Sequence, residues 1–140
     1  IIFITDHKNI QVDIDRTQMV RIITNLVKNA IEACSSSEKP IVEVEIYAKK
    51  KNVFIKIKDN GVGIPKDLKN RIFEPKFTTK TSGMGLGLGM VKNLVNSYNG
   101  NIDFKSNVGK GTIFTIKFPT NLDWEVIVNK IRWKPVLNCH

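Results

Sequence analysis

The apolar positions of this chain fall into two periods. Between residues 15 and 33, Met19, Ile22, Ile23, Leu26, Val27 and Ala30 recur at spacings of three and four, the stripe of an amphipathic helix. Asp15-Arg16-Thr17-Gln18 in front of that stripe carries a capping-box signal. Ser35-Ser36-Ser37 and Pro40 end it. The period then becomes two. Val42, Val44 and Ile46 alternate with Glu43, Glu45 and Tyr47 over residues 41–47, and residues 53–59 alternate in the same way. With residues 49–52 as a turn, they predict a hairpin with one solvated face. Upstream, residues 1–5 and 10–14 predict two short strands around the polar turn Asp6-His7-Lys8-Asn9. Downstream, residues 66–72 predict a short helical segment. A glycine-rich stretch, 83–89, opens a second helix through Tyr98, with Asn99-Gly100 as its stop. Residues 101–106 and 112–118 predict a last hairpin around Val108-Gly109-Lys110-Gly111.

Strands that follow one another as hairpins indicate a mixed, mostly antiparallel sheet, and the helices are then left to cover one face. The expected class is α+β, a two-layer α/β sandwich. It occupies residues 1–119, and residues 120–140 form a tail of different character with no readable role. No apolar run reaches the roughly 18–20 residues of a membrane span. The chain opens with Ile1 rather than a start methionine, so a fragment is expected, with further segments upstream.

The formal net charge of +9 suits a polyanionic partner. The lysines are dispersed and no aromatic residues interleave with them to stack bases, which favours a phosphorylated ligand over nucleic acid. Cys34 and Cys139 do not form a CxxC pair, so no zinc site is expected, and Cys34 reads as a small buried thiol.

Four segments carry candidate chemistry. Asn25 and Asn29 lie four apart on one helical face, and a carboxamide oxygen is a hard neutral ligand suited to magnesium. Asp59 shares its strand parity with Val53, Ile55 and Ile57, so its carboxylate enters the layer between sheet and helices. There it needs a donor such as the exocyclic amine of adenine. Gly61 and Gly63 after it would let backbone pass close to a flat base; a plain DNG turn is the simpler alternative. Gly83-Met84-Gly85-Leu86-Gly87-Leu88-Gly89 before an apolar helix offers unpaired N–H groups and a positive dipole end, an anion site. It matches neither the dinucleotide fingerprint nor the Walker pattern. Between them, Phe73-Glu74-Pro75-Lys76-Phe77-Thr78-Thr79-Lys80 reads either as a lid with Lys80 or Lys76 reaching phosphate, or as ordinary satellite packing.

In this order, these segments resemble the boxes of bacterial sensor histidine kinases. Asn25-Leu26-Val27-Lys28-Asn29-Ala30 looks like the N box and Asp59-Asn60-Gly61-Val62-Gly63 like the G1 box. Phe73-Glu74-Pro75-Lys76-Phe77 looks like the F box and Gly83-Met84-Gly85-Leu86-Gly87-Leu88 like the G2 box. Lys110-Gly111-Thr112 resembles the glycine-threonine element of the last hairpin, and the short lid is similar to that of nitrogen-regulation-type kinases. The resemblance implies the Bergerat-type ATP-binding fold shared with gyrase, the heat-shock chaperone ATPases and MutL. It implies ATP and Mg2+ as cofactors, with Asn29 on the metal, Asn25 beside the triphosphate and Asp59 on adenine N6. Gly61, Gly63 and Ile64 would line the base, and Thr112 would reach Asp59 or the base through water. Gly83, Gly85, Leu86, Gly87 and Leu88 would embrace the phosphates, and Phe73 and Phe77 would border the nucleotide. Lys80 as a phosphate contact is a further inference from its place in the lid.

The implied reaction is γ-phosphoryl transfer to a histidine on a dimerisation domain, with a response regulator downstream. The resemblance implies a cytoplasmic location, in a kinase either soluble or anchored in the inner membrane. His7 and His140 lack the context of an acceptor, so this chain alone is expected to bind ATP without autophosphorylating. Related ATPases carry a glutamate where Asn25 sits, and asparagine cannot serve as that base. An anti-sigma-factor serine kinase and a non-catalytic nucleotide sensor are the remaining alternatives.

Overall fold

The computed structural model describes residues 12–75 and 87–133, with residues 121–133 described by their backbone alone. Helix α1 (Arg16–Ala33) forms on the three-four stripe. Asp15 caps it, its Oδ1 accepting the Gln18 N–H at 3.2 Å. Ile22 and Leu26 are fully buried, and each contributes about 1.5–3 kcal/mol by leaving water. Of the expected strand at 10–14, residues 12–14 are not in a strand. Val12 and Ile14 pack against the core as an unpaired approach to the helix. The expected strand at 1–5 lies outside the described residues.

Strand β1 (Val42–Asp59) is extended throughout, yet it doubles back on itself. Seven residues of straight strand span about 23 Å, whereas the Tyr47 and Phe54 rings stack with centroids 4.8 Å apart. The Asn60 N–H also reaches the Ile41 carbonyl at 3.3 Å, which closes the base of the loop. The reversal sits at Lys50, whose φ is 53°. The predicted hairpin is therefore present, with a tip so tight that the strand geometry continues through it.

The remaining strands are β2 (Asn101–Asn107) and β3 (Gly111–Trp133), and the sheet order is β1-β3-β2 with antiparallel pairing. The early part of β3 pairs residues 52–59 and its later part pairs residues 42–48, with register breaks around Lys50 opposite Trp124. β3 thus wraps around the tip of the β1 hairpin and carries on past Pro119, where the sequence offered no reading.

The short helical segment expected at 66–72 is a single 3-10 turn, Lys66–Leu68, extended by turns through Glu74. Helix α2 (Gly87–Ser97) buries Val91 and Val95, one turn apart. Its stop is a Schellman arrangement. The Gly100 N–H bonds the Val95 carbonyl at 2.9 Å and the Asn99 N–H bonds that of Asn96 at 3.1 Å. Asn99, at φ 60°, supplies the left-handed residue, and Gly100 lies against Phe118, where a Cβ would clash.

Ile22, Leu26, Val91 and Val95 of the helices meet Ile55, Ile57, Ile116 and Phe118 of the sheet in one core. The Tyr47–Phe54 stack, with Lys56 over the Tyr47 ring at 5.4 Å, belongs to the opposite parity and so lies on the other face. The architecture is the expected α+β sandwich, with helices on one face of an antiparallel sheet.

Candidate functional site

Asp59 closes β1 on the core-facing parity and is 4% exposed. Burial pushes its carboxyl above the usual range, and the N–H groups of Gly61 and Thr112 partly offset this. The Gly61 N–H donates to Oδ1 at 2.9 Å. A carboxylate held dry by two backbone donors keeps unused acceptor capacity, which is the chemistry an amine-bearing ligand would meet.

Across the sheet, Asp59 is the direct partner of Thr112, and Thr112 is the direct partner of Ser106. Three buried polar side chains therefore form a row over three adjacent strand segments. Ser106 Oγ lies 2.7 Å from Thr112 Oγ1, accepts the Ile64 N–H at 2.7 Å and donates to the Gly111 carbonyl at 3.2 Å. Ser106 was missed in the sequence. Its signal was its parity with Ile102 and Phe104, which marks a hydroxyl on the inward face of β2. Lys69 was also missed. Its Nζ donates to the Ser106 carbonyl at 2.6 Å and ties the 66–74 segment to the same strand.

The loop after Asp59 is stitched to both its neighbours. The Val62 N–H reaches the Ala33 carbonyl at the end of α1 at 3.1 Å. The Gly109 N–H reaches the Val62 carbonyl at 2.9 Å. Gly63 has φ 75°, and a Cβ there would run into the Asn107 carbonyl, so packing against the last hairpin by itself requires glycine. Asn60 has a structural task. Its Oδ1 accepts the Ile41 N–H at 2.8 Å and its Nδ2 donates to the Lys39 carbonyl at 2.8 Å. The buried Cys34 thiol faces the same Oδ1 at 3.4 Å, and its pKa is raised, chiefly by burial.

On α1, Asn25 turns its Nδ2 back to the Arg21 carbonyl at 2.8 Å. That fixes its Oδ1 toward the start of α2, where a Cβ built on Gly87 would lie 3.3 Å from that oxygen. The N-box helix and the end of the G2 segment therefore meet at this asparagine. Asn29, one turn on, is half-buried. Leu88 packs against the core.

Phe73 packs edge-on against Phe104 at 5.8 Å and Phe114 at 6.5 Å, with Lys92 over its ring at 5.0 Å. These contacts hold the Phe73 ring within the aromatic cluster of the fold. Lys76, Phe77, Lys80, Gly83, Gly85 and Leu86 lie outside the described residues.

The family model described as histidine kinase-, DNA gyrase B-, and HSP90-like ATPase matches residues 14–122. The chain belongs to this family. Sporulation kinase A of Bacillus subtilis is 39% identical over 111 residues, covering 79% of this chain and 18% of the relative. Sensor histidine kinase ZraS of Escherichia coli K12 is 39% identical over 113 residues, covering 81% of this chain and 23% of the relative. Among solved structures, the catalytic domain of histidine kinase ThkA superposes with TM-score 0.71 at 32% identity, covering 82% of this chain and 74% of that one. The chain spans about a fifth of the length of the curated relatives it matches. Its fold is that of histidine kinase ATP-binding catalytic domains, and its relatives are sensor histidine kinases of two-component signalling.

ATP is the ligand the family implies, and the residues present fit it. The buried Asp59 offers an acceptor to an exocyclic amine. No group of three or more His, Cys, Asp or Glu side chains among the described residues is arranged to hold a metal ion. A magnesium ion here would rely on phosphate oxygens, water and a neutral carboxamide such as that of Asn29. No helix among the described residues is long and apolar enough to cross a membrane.

Proposed function

We propose that this chain binds Mg–ATP and transfers the γ-phosphoryl group to a histidine on a dimerisation domain outside this sequence. The supporting observation is the buried Asp59 opposite Thr112, with Asn25 and Gly87 meeting at the α1–α2 junction. Asp59 accepts from adenine N6, and Gly61, Gly63, Ile64 and Thr112 border the base. Asn25 and Asn29 serve the triphosphate and its magnesium. Gly83, Gly85, Leu86, Gly87 and Leu88 embrace the phosphates, Phe73 and Phe77 flank the nucleotide, and Lys80 neutralises phosphate charge.

In the transfer, the bond from the γ-phosphorus to the bridging oxygen breaks and ADP leaves. A phosphorus–nitrogen bond forms on the imidazole, whose N–H proton passes to solvent. The imidazole is already a nucleophile, so this chain supplies positioning and charge neutralisation rather than a strong base. Asn25 in place of a carboxylate fits that division, because a carboxamide cannot deprotonate water. Residues 1–119 carry the catalytic machinery; of the tail 120–140, residues up to Trp133 continue β3 along β1, and no role beyond that pairing is assigned. The domain works in the cytoplasm, passing the phosphoryl group on to a response regulator, with no nucleic acid or membrane contact of its own.

The test is incubation with labelled ATP, magnesium and a separately supplied histidine-bearing helical domain. Label on the acceptor histidine, with little phosphate release in its absence, is the expected result. Steady phosphate release without an acceptor would identify a hydrolase instead.

A further inference from the structure

We infer that Ser106 is a positioning residue that turns the Thr112 hydroxyl into an acceptor, so that the Asp59 end of the site admits a ligand amine and repels a keto oxygen. The inference rests on the reading that this end takes the nucleotide base. A serine hydroxyl has one proton and two lone pairs. The Gly111 carbonyl can only accept, so the 3.2 Å contact to it uses the Ser106 proton. The Ile64 N–H can only donate, so its 2.7 Å contact fills one lone pair. One lone pair remains. The 2.7 Å contact between the hydroxyls is then donated by Thr112.

The opposite orientation would send the Ser106 proton to Thr112. It would leave a lone pair empty on a residue only 4% exposed and give up the contact to the Gly111 carbonyl. Unused acceptors at buried positions are costly, so the saturated arrangement prevails. Thr112 has then spent its only proton, and its oxygen offers lone pairs alone. Its direct partner across β1 and β3 is Asp59, which as a carboxylate also offers lone pairs alone. Two acceptors side by side match the amine of adenine and oppose the carbonyl that guanine carries at the same ring position. Ser106 reaches this selectivity only through Thr112.

Calorimetry with ATP and GTP, each with magnesium, on wild type and single variants tests this. Ser106→Ala frees the Thr112 proton to meet a keto oxygen, and the ATP-to-GTP affinity ratio falls roughly tenfold, the scale of one such hydrogen bond. Ser106→Thr keeps the hydroxyl and restores the ratio. Lys69→Met removes the tie to the Ser106 carbonyl while leaving the hydroxyl, and the ratio stays at the wild-type value. Should loss of the acceptor for Ile64 unfold the alanine variant, Ser106→Cys keeps the volume with a poor acceptor, and the same fall is expected in a folded chain. A wild-type ratio in folded Ser106→Ala or Ser106→Cys, alongside a collapsed ratio in Asp59→Asn, overturns the role of Ser106 and leaves that of Asp59 standing. Equal affinity of the wild type for both nucleotides overturns both.

Discussion

Asp59 and Thr112 stand directly opposite each other where β1 meets β3, and both side chains are buried on the face that the helices cover. A carboxylate and a hydroxyl are poor core residues. Their burial side by side, with Ser106 completing the row, is sustained by the backbone and hydroxyl hydrogen bonds that the row makes.

Asp59→Asn separates binding from stability. ATP affinity drops by tenfold or more, because the carboxamide presents one acceptor fewer and adds donors facing the adenine amine. Stability moves the other way. The folded carboxyl titrates above its unfolded value, so folding weakens as pH rises from about 4 through the folded pKa. The variant lacks that loss, so its stability relative to wild type improves from pH 4 to pH 8. Urea melts across that range measure it, and a relative stability that declines with pH contradicts the burial argument.

Asn29→Ala is expected to remove the magnesium-dependent part of nucleotide binding, together with transfer to a supplied acceptor domain. ATP titrations with magnesium and with chelator give the comparison. An unchanged magnesium effect assigns the ion to other ligands.

Two glycines with nearly equal φ make a paired test of packing. Gly63 (φ 75°) has the Asn107 backbone where a Cβ would go, whereas Gly109 (φ 78°) has open space. Gly109→Ala costs only the left-handed strain, about 1 kcal/mol. Gly63→Ala adds a backbone collision and costs roughly 3 kcal/mol or prevents folding. Equal midpoints in urea would contradict the close approach of the two loops.

Phe73→Ala is expected to destabilise the fold by about 2–3 kcal/mol, since a half-buried ring against Phe104 and Phe114 is lost. A side chain serving only as a lid would change nucleotide affinity and leave the melt untouched, and thermal melts without nucleotide separate the two.

The chain's own periodicities determined a good deal. The three-four stripe from Met19 to Ala30 determined α1, and the capping signal at Asp15 set its start. The parity of Val53, Ile55 and Ile57 placed Asp59 in the buried layer. These are local properties, because a helix or strand repeats its geometry every few residues and the side chains must follow. The box motifs named the family for a related reason: they lie in order along one chain.

The remaining features depend on residues far apart in sequence. Ser106 is an ordinary serine until β2 and β3 pair and set it against Thr112 and Ile64. Asn60 marks a turn in the sequence, but the fold makes it the clamp across Ile41 and Lys39. The glycine at 63 is required by a backbone from another hairpin, and β3 finds its later partners only by wrapping around the β1 tip. No local pattern encodes such contacts. They come into being when hydrophobic burial brings separate segments together and their polar groups must find partners in the dry interior.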